Sequence, residues 1–322
     1  MNATNQIICH GLKYIHFEKT SAVVVTVIGT CLINAVCGVF AQISNALIMV
    51  AISWKASLRT PSNLLLFCMC ITDFLVGFVV QMLYVVLRLH EIFDVHLCIG
   101  KKIFAFFGYL CSGASFMTLT VVTLDRWFAI AHPYRYQSIE LFNKYVVVMV
   151  IVWLLWFIFC ALPFAGVIMP GIFFASLAVV MVLSVATVVF CYVKIHMVVR
   201  KHEQQIDVQI VHIDRDIDRD AASSESSRVR TIERRRSNTV AIIVLVFLGC
   251  YLPKICAILV NILVGDTLQV LFVVGKWSET LCFLNSSLNP FIYCLRIESI
   301  RNEVKHILGL IKGKVSPFNP NP

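Results

Sequence analysis

The chain predicts an all-α membrane protein, a seven-transmembrane helix bundle with a short amphipathic eighth helix, on three observations. Of its 322 residues 59% are hydrophobic and only 14% are charged, with a mean hydropathy of +0.84. A soluble chain of this size would struggle to keep such a composition off its surface. Seven stretches are apolar enough to cross a hydrocarbon core of ~30 Å, which takes ~20 helical residues. The second, third and seventh of these carry polar groups that hydrocarbon rejects.

In order, the spans are Ala22–Ile52, Leu64–Leu87, Ile103–Leu124, Tyr145–Met169, Gly171–Val193, Thr239–Val264 and Leu268–Leu295. No charged residue separates the fourth from the fifth. Pro163 and Pro170-Gly171 must therefore place the turn, because they interrupt helix and supply turn geometry.

Lys and Arg collect after spans one, three, five and seven: Lys55 and Arg59, Arg126 and Arg135, the cluster from Arg200 to Arg236, and Arg296 to Lys314. The other side holds Lys13, Lys19, Arg88, Lys101 and Lys102. The positive-inside rule then puts the amino terminus outside and the carboxyl terminus inside. The expected division is an extracellular segment 1–20, a membrane domain 21–295 with an inner loop at about 200–236, and a cytoplasmic tail 296–322. No cleavable signal peptide is evident in the first twenty residues. Asn2-Ala3-Thr4 is a glycosylation sequon on the outer side, whereas Asn285-Ser286-Ser287 lies inside a span.

Most of the thirteen cysteines fall within spans, where Cys packs as a small apolar residue. Cys9 and Cys98 are the outer exceptions, and they form either a disulfide in the oxidising exterior or two free thiols. The charge of +9 follows from the inner loops, and no soluble basic domain exists to bind nucleic acid. The nine histidines are scattered, without zinc spacing, and no phosphate-cradling glycine loop occurs, which argues against an enzyme.

A charge in mid-membrane costs at least ~2.5 kcal/mol, so Asp73 must face protein or water. Helices one, three and seven packed around it would bring Asn45, Ser115, Asn285, Ser286 and Asn289 into an oxygen-rich nest. That composition suits a sodium ion, and equally a protonated Asp73 in a water network. At the inner end of span three, Asp125-Arg126-Trp127 places a charged pair where helix meets cytoplasm. Arg126 either bridges to Glu233 before span six or snorkels to lipid phosphates. Span six contains Cys250-Tyr251-Leu252-Pro253 and span seven ends Asn289-Pro290-Phe291-Ile292-Tyr293, so each carries a proline bend.

Together these residues resemble the rhodopsin-like, class A G-protein-coupled receptors from Asn45 to about Leu310. The matching marks are Asn45, Asp73, Asp125-Arg126, Trp153, Tyr192, Cys250 and Pro253, and Asn289-Pro290 with Tyr293. The resemblance implies a receptor whose outer pocket binds a ligand and whose inner face, opened by outward movement of helix six, engages a heterotrimeric G protein. It casts Asp125, Arg126, Glu233, Tyr192, Asn289, Pro290 and Tyr293 as the switch. A seven-helix transporter or ion-translocating protein is the alternative, and would move substrate or charge without a G protein.

Several positions depart from the family. Trp127 replaces the usual tyrosine, Tyr251 replaces the pocket-floor tryptophan, span five lacks its proline, and the loop after span four lacks a cysteine. These departures are most similar to the melanocortin, adenosine and lipid receptor cluster, implying a melanocortin-like peptide, adenosine-like or lipid ligand. Gly108 stands where amine receptors carry an aspartate, and Phe283 where opsins carry their lysine. Lys254 and Glu279 occupy positions that line the pocket in relatives, and Tyr251 forms its floor. A Lys254–Glu279 pair is either a ligand-opened clamp or a structural tie, since buried pairs are often neutral for stability. Lys276 is expected to snorkel to water.

The run Arg296–Leu308 alternates charged and apolar residues at helical spacing and reads as a surface-lying eighth helix. Arg234-Arg235-Arg236-Ser237 is either a phosphorylation site or a topological anchor.

Overall fold

A computed structural model describes residues 7–9, 12–14, 19–95, 97–131, 141–213, 241–260 and 269–313. The helices are α1 (Ser21–Trp54), α2 (Pro61–Ile92), α3 (Cys98–Ala131), α4 (Leu141–Ala161), α5 (Pro170–Ile213), α6 (Ala241–Val260), α7 (Gln269–Arg296) and α8 (Glu298–Ile311). Six of them, α1 to α6, are long and apolar enough to cross a membrane. The seventh falls short of that measure because it carries Ser278, Thr280, Asn285, Ser286, Ser287 and Asn289, all buried. A small hairpin, β1 (Ile7–Cys9) against β2 (Leu12–Tyr14), precedes α1 and was not expected.

Packing follows the polar faces. Helix α1 lies against α2 and α7, α3 sits between α2, α4 and α5, and α8 folds back on α1. Val36, Ile43, Leu154, Leu155, Val182 and Leu183 are exposed on the bundle's outside. Large apolar side chains facing outward and polar ones facing inward are the pattern lipid imposes.

Local chemistry sets the boundaries. Thr60 caps α2 by accepting the Asn63 amide at 3.3 Å, with Pro61 in the first turn where its missing N–H costs nothing. Helix α4 stops at Ala161, eight residues before the expected Met169. The Phe164 and Ala165 amides fold back on the Ala161 carbonyl, and Gly166 adopts φ +73°. Pro163 lies in this turn and Pro170 opens α5, as the sequence predicts. Helix α5 continues past Arg200 to Ile213, into the expected inner loop. Its extension holds Lys201, Glu203, Gln204, Gln205 and Gln209 and is free of Gly and Pro, so nothing local ends the helix.

Helix α2 is interrupted by a π segment, Val76–Gln81. At this widened turn Gln42 Nε2 of α1 donates to the Gly77 carbonyl at 3.1 Å. The helices are close enough at this point that a Cβ on Gly77 would lie 2.7 Å from the Gly38 carbonyl oxygen. Two glycines allow this approach.

Candidate functional site

Mid-bundle, Asp73 is buried and accepts a hydrogen bond from Asn289 Nδ2 at 2.8 Å, with the Ser286 hydroxyl as a second donor. Asn45 Nδ2 reaches the Ser286 carbonyl at 3.1 Å. The structure thus joins Asn45, Asp73, Ser286 and Asn289 across three helices. Ser115 is adjacent in a different way from that expected, because its hydroxyl donates to Thr72 at 2.9 Å rather than to Asp73. The Oδ1 atoms of Asn45, Asn285 and Asn289 are buried without a hydrogen-bond partner. Buried amide oxygens with lone pairs to spare are costly unless a cation or water takes them. A neutral amide set beside one carboxylate fits a hard monovalent cation.

Where α3 ends, Arg126 is buried, so it does not snorkel. Its Nε donates to Asp125 Oδ2 at 2.8 Å, and its Nη2 reaches both that oxygen and the Ser62 hydroxyl of α2. Tyr145 of α4 donates to the other Asp125 oxygen at 2.6 Å. The guanidinium is thereby tied to α2 and, through the aspartate, to α4. Glu233 and its proposed bridge lie outside the described residues, as do Asn2 and Ser237. Tyr293 is fully buried with its hydroxyl 3.6 Å from Met69 Sδ, while Tyr192 of α5 packs partly buried against the core. Pro290 lies inside α7, immediately after Asn289.

Between these sites Tyr251 stacks on Phe247 at 4.4 Å, and both meet Phe116 of α3 edge-on, at 4.9 and 4.3 Å. This aromatic trio occupies the place of the absent tryptophan. Cys282 Sγ of α7 donates to the Cys250 carbonyl at 3.5 Å, tying α7 to α6 beside the proline. Phe283 joins Tyr84 and Phe104 in a second aromatic group, with centroids at 6.0 and 6.1 Å. A Cβ on Gly108 would meet nothing within 4 Å, so α3 leaves open space there.

Toward the end of the bundle where α1 begins, Lys254 Nζ lies 4.0 Å from Glu279 Oε1, the pairing expected. Lys276, expected to reach water, instead sits closer, at 3.5 Å from Glu279 Oε2 and 5.2 Å from the Phe272 ring centre. Its side chain is only 14% exposed, because the i,i+3 spacing on α7 brings it over the carboxylate. Arg88 is also buried, paired with Glu91 and lying 5.4 Å from the Tyr84 ring centre. Below it runs a buried polar ladder that sequence reasoning missed. Tyr84 donates to Thr30 at 3.0 Å, Gln81 to Asn34 Oδ1 at 3.2 Å, and Asn34 to Thr280 at 3.0 Å. The available signal was the placement of Asn34 and Gln81 inside apolar spans. Cys98 is disulfide-bonded, and the side chain of Cys9 lies outside the described residues.

The sequence model of the seven-transmembrane receptors of the rhodopsin family matches residues 44–169 and 167–293. The chain is 27% identical over 306 residues to trace amine-associated receptor 2 of Mus musculus, covering 84% of this chain and 82% of that one. Trace amine-associated receptor 1 of the same species is 23% identical over 296 residues, covering 83% and 84%. Cannabinoid receptor 1 of Xenopus laevis is 25% identical over 314 residues, covering 89% of this chain and 64% of that one.

Proposed function

Because the chain belongs to the rhodopsin family of seven-transmembrane receptors, we propose that it converts extracellular ligand binding into activation of a heterotrimeric G protein. The amino terminus then lies outside the plasma membrane and α8 lies on the cytoplasmic side, in the direction the Lys and Arg distribution requires. The observation that carries this reading is the locked Arg126, whose donors are turned inward to Asp125 and Ser62 at the cytoplasmic end. A buried arginine held by its neighbours is a switch in one of two positions. Ligand binding that favours outward movement of α6 opens the mouth and turns Arg126 to the G protein. A ligand that bound both states equally would shift nothing.

Tyr251, Phe283, Lys254 and Glu279 surround the outer approach, with Gly108 leaving room for the ligand. The names of the relatives point to trace amines and to a cannabinoid. An amine has no carboxylate on α3 at Gly108 to receive it, and Glu279 already has Lys254 and Lys276 beside it. The nest of Asp73, Asn45, Asn285 and Asn289, with Ser115 near it, is the place for an allosteric sodium ion. When bound there, the ion would supply the unpartnered amide oxygens with positive charge.

The deciding experiment is nucleotide exchange on purified G proteins by the receptor in lipid nanodiscs. Wild type accelerates exchange, and Arg126→Ala abolishes the acceleration. Equal exchange by the two proteins would refute the mechanism, and substrate transport without exchange would favour the transporter.

A further inference from the structure

We propose that the outer site binds a ligand through an anionic group, a carboxylate, phosphate or sulfate, with Arg88 as its anchor. The proposal rests on the receptor reading and names the chemistry of that receptor's ligand.

Charge carries the argument. Arg88, Lys101, Lys254 and Lys276 all interact electrostatically with Glu279, and Glu91 is the second carboxylate of the group. Among the described residues, four cations thus share two carboxylates at this end of the bundle. Lys254 and Lys276 spend themselves on one Glu279, at 4.0 and 3.5 Å. Glu91 engages Arg88 through Nη1. An excess of positive over negative charge is unfavourable where burial lowers the dielectric, as it does around Arg88 and Lys276. An incoming anion offsets it; an incoming amine adds to it.

Geometry selects Arg88 from among the four. Its side chain is 7% exposed, and among the described residues its Nε has no hydrogen-bond partner. A buried guanidinium N–H without an acceptor costs more than an ordinary unmade hydrogen bond. The edge of the guanidinium carrying Nε is one side of the planar fork that grips two oxygens of a carboxylate or phosphate at once. The opposite end of the group is fixed by Glu91 and by the Tyr84 ring, so the fork is held in place before the ligand arrives. Tyr84 continues into Thr30, and Phe283 and Phe104 pack on its ring. The body of the ligand would therefore meet aromatic surface next to the anion seat.

The test melts the purified full-length receptor in neutral phosphatidylcholine nanodiscs with five probes: oleate, lysophosphatidate, succinate, uncharged oleamide and phenethylamine. We expect at least one anion to raise Tm by several degrees while oleamide and phenethylamine do not. A response to oleate or lysophosphatidate assigns a membrane-borne ligand, and one to succinate an aqueous ligand. Arg88→Gln should abolish the shift. Arg88→Lys, which keeps the charge but loses the fork, should weaken apparent affinity about tenfold. Glu279→Gln should preserve or strengthen anion binding, since it removes a competing carboxylate. The proposal is overturned if no anion shifts Tm, if oleamide matches oleate, if Arg88→Lys responds undiminished, or if phenethylamine alone stabilises and Glu279→Gln abolishes that effect. Nucleotide exchange on the same preparation separates the two ideas. An anion shift without exchange keeps the site and removes the receptor; exchange without a shift does the reverse.

Discussion

Gly113 shows how tightly single residues are specified at the α3–α4 contact. A Cβ there would lie 2.0 Å from Trp156, whose indole N–H donates to the Leu110 carbonyl at 3.1 Å. Gly113→Ala is therefore expected to cost about 1–3 kcal/mol by overpacking, read as a lower Tm of the purified protein. Trp156→Phe in the same chain should restore part of that loss. Asp73 invites a different measurement. If its nest takes sodium, NaCl raises the Tm of wild type more than choline chloride does, and Asp73→Asn removes the difference. An identical salt response in both proteins would exclude the ion. The residues named from sequence divide along a physical line. Asp73 and Asn289 were legible because a charge in oil has to find a partner. Arg88 and Lys276 were not, because a long cation near a helix end reads equally well as one that reaches water. Only packing shows that α7 and Tyr84 cover them.

Among the elements, α8 illustrates which contact matters. Lys55 and Glu303 are 3.1 Å apart, but Lys55 is 53% exposed, and an exposed pair is worth about 0–1 kcal/mol. Burial of Ile300 and Ile307 dominates. Ile300→Ala should loosen α8, seen as faster amide exchange over Glu298–Ile311, whereas Lys55→Ala should leave it unchanged. In α2, the Gly77 carbonyl accepts a hydrogen bond from Gln42 of α1. Gln42→Ala is expected to cost about 0.5–1.5 kcal/mol by removing that hydrogen bond between α1 and α2, read as a lower Tm of the purified protein. Element positions were readable from apolar runs and prolines, since hydrocarbon thickness sets their length. The π segment was not, because a widened turn leaves no mark on hydropathy. The early end of α4 was missed for a related reason: the residues after Ala161 remain apolar through the turn.

Across the whole molecule, polar contacts form a broken column from one end of the bundle to the other. Arg88 and Tyr84 lead to Thr30; Gln81 and Asn34 lead to Thr280 on α7; further along, α7 carries the Asn289 contact to Asp73. Arg126 waits beyond, held by an aspartate that Tyr145 also grips. Removing the hold should bias the equilibrium toward the open mouth. Asp125→Asn is expected to raise ligand-free nucleotide exchange several-fold, and exchange at or below the wild-type rate would show that the aspartate does not restrain the switch. The helix bundle was legible from the length and order of the apolar runs, because hydrocarbon thickness dictates them. The cation cluster at the outer end was not, because it depends on which side chains the fold turns inward together.

The widened turn in α2 has a last consequence, for tolerance to changes in length. A π segment stores one spare residue, so the helix beyond it can give up a residue as the turn tightens to ordinary winding, and Arg88 keeps its azimuth. It has no such slack for gaining one. An added residue there would swing the rest of α2 by about 100° and carry the guanidinium out of its seat. Shortening at Val76–Gln81 is thus the forgiven error, and lengthening the one that silences the outer site.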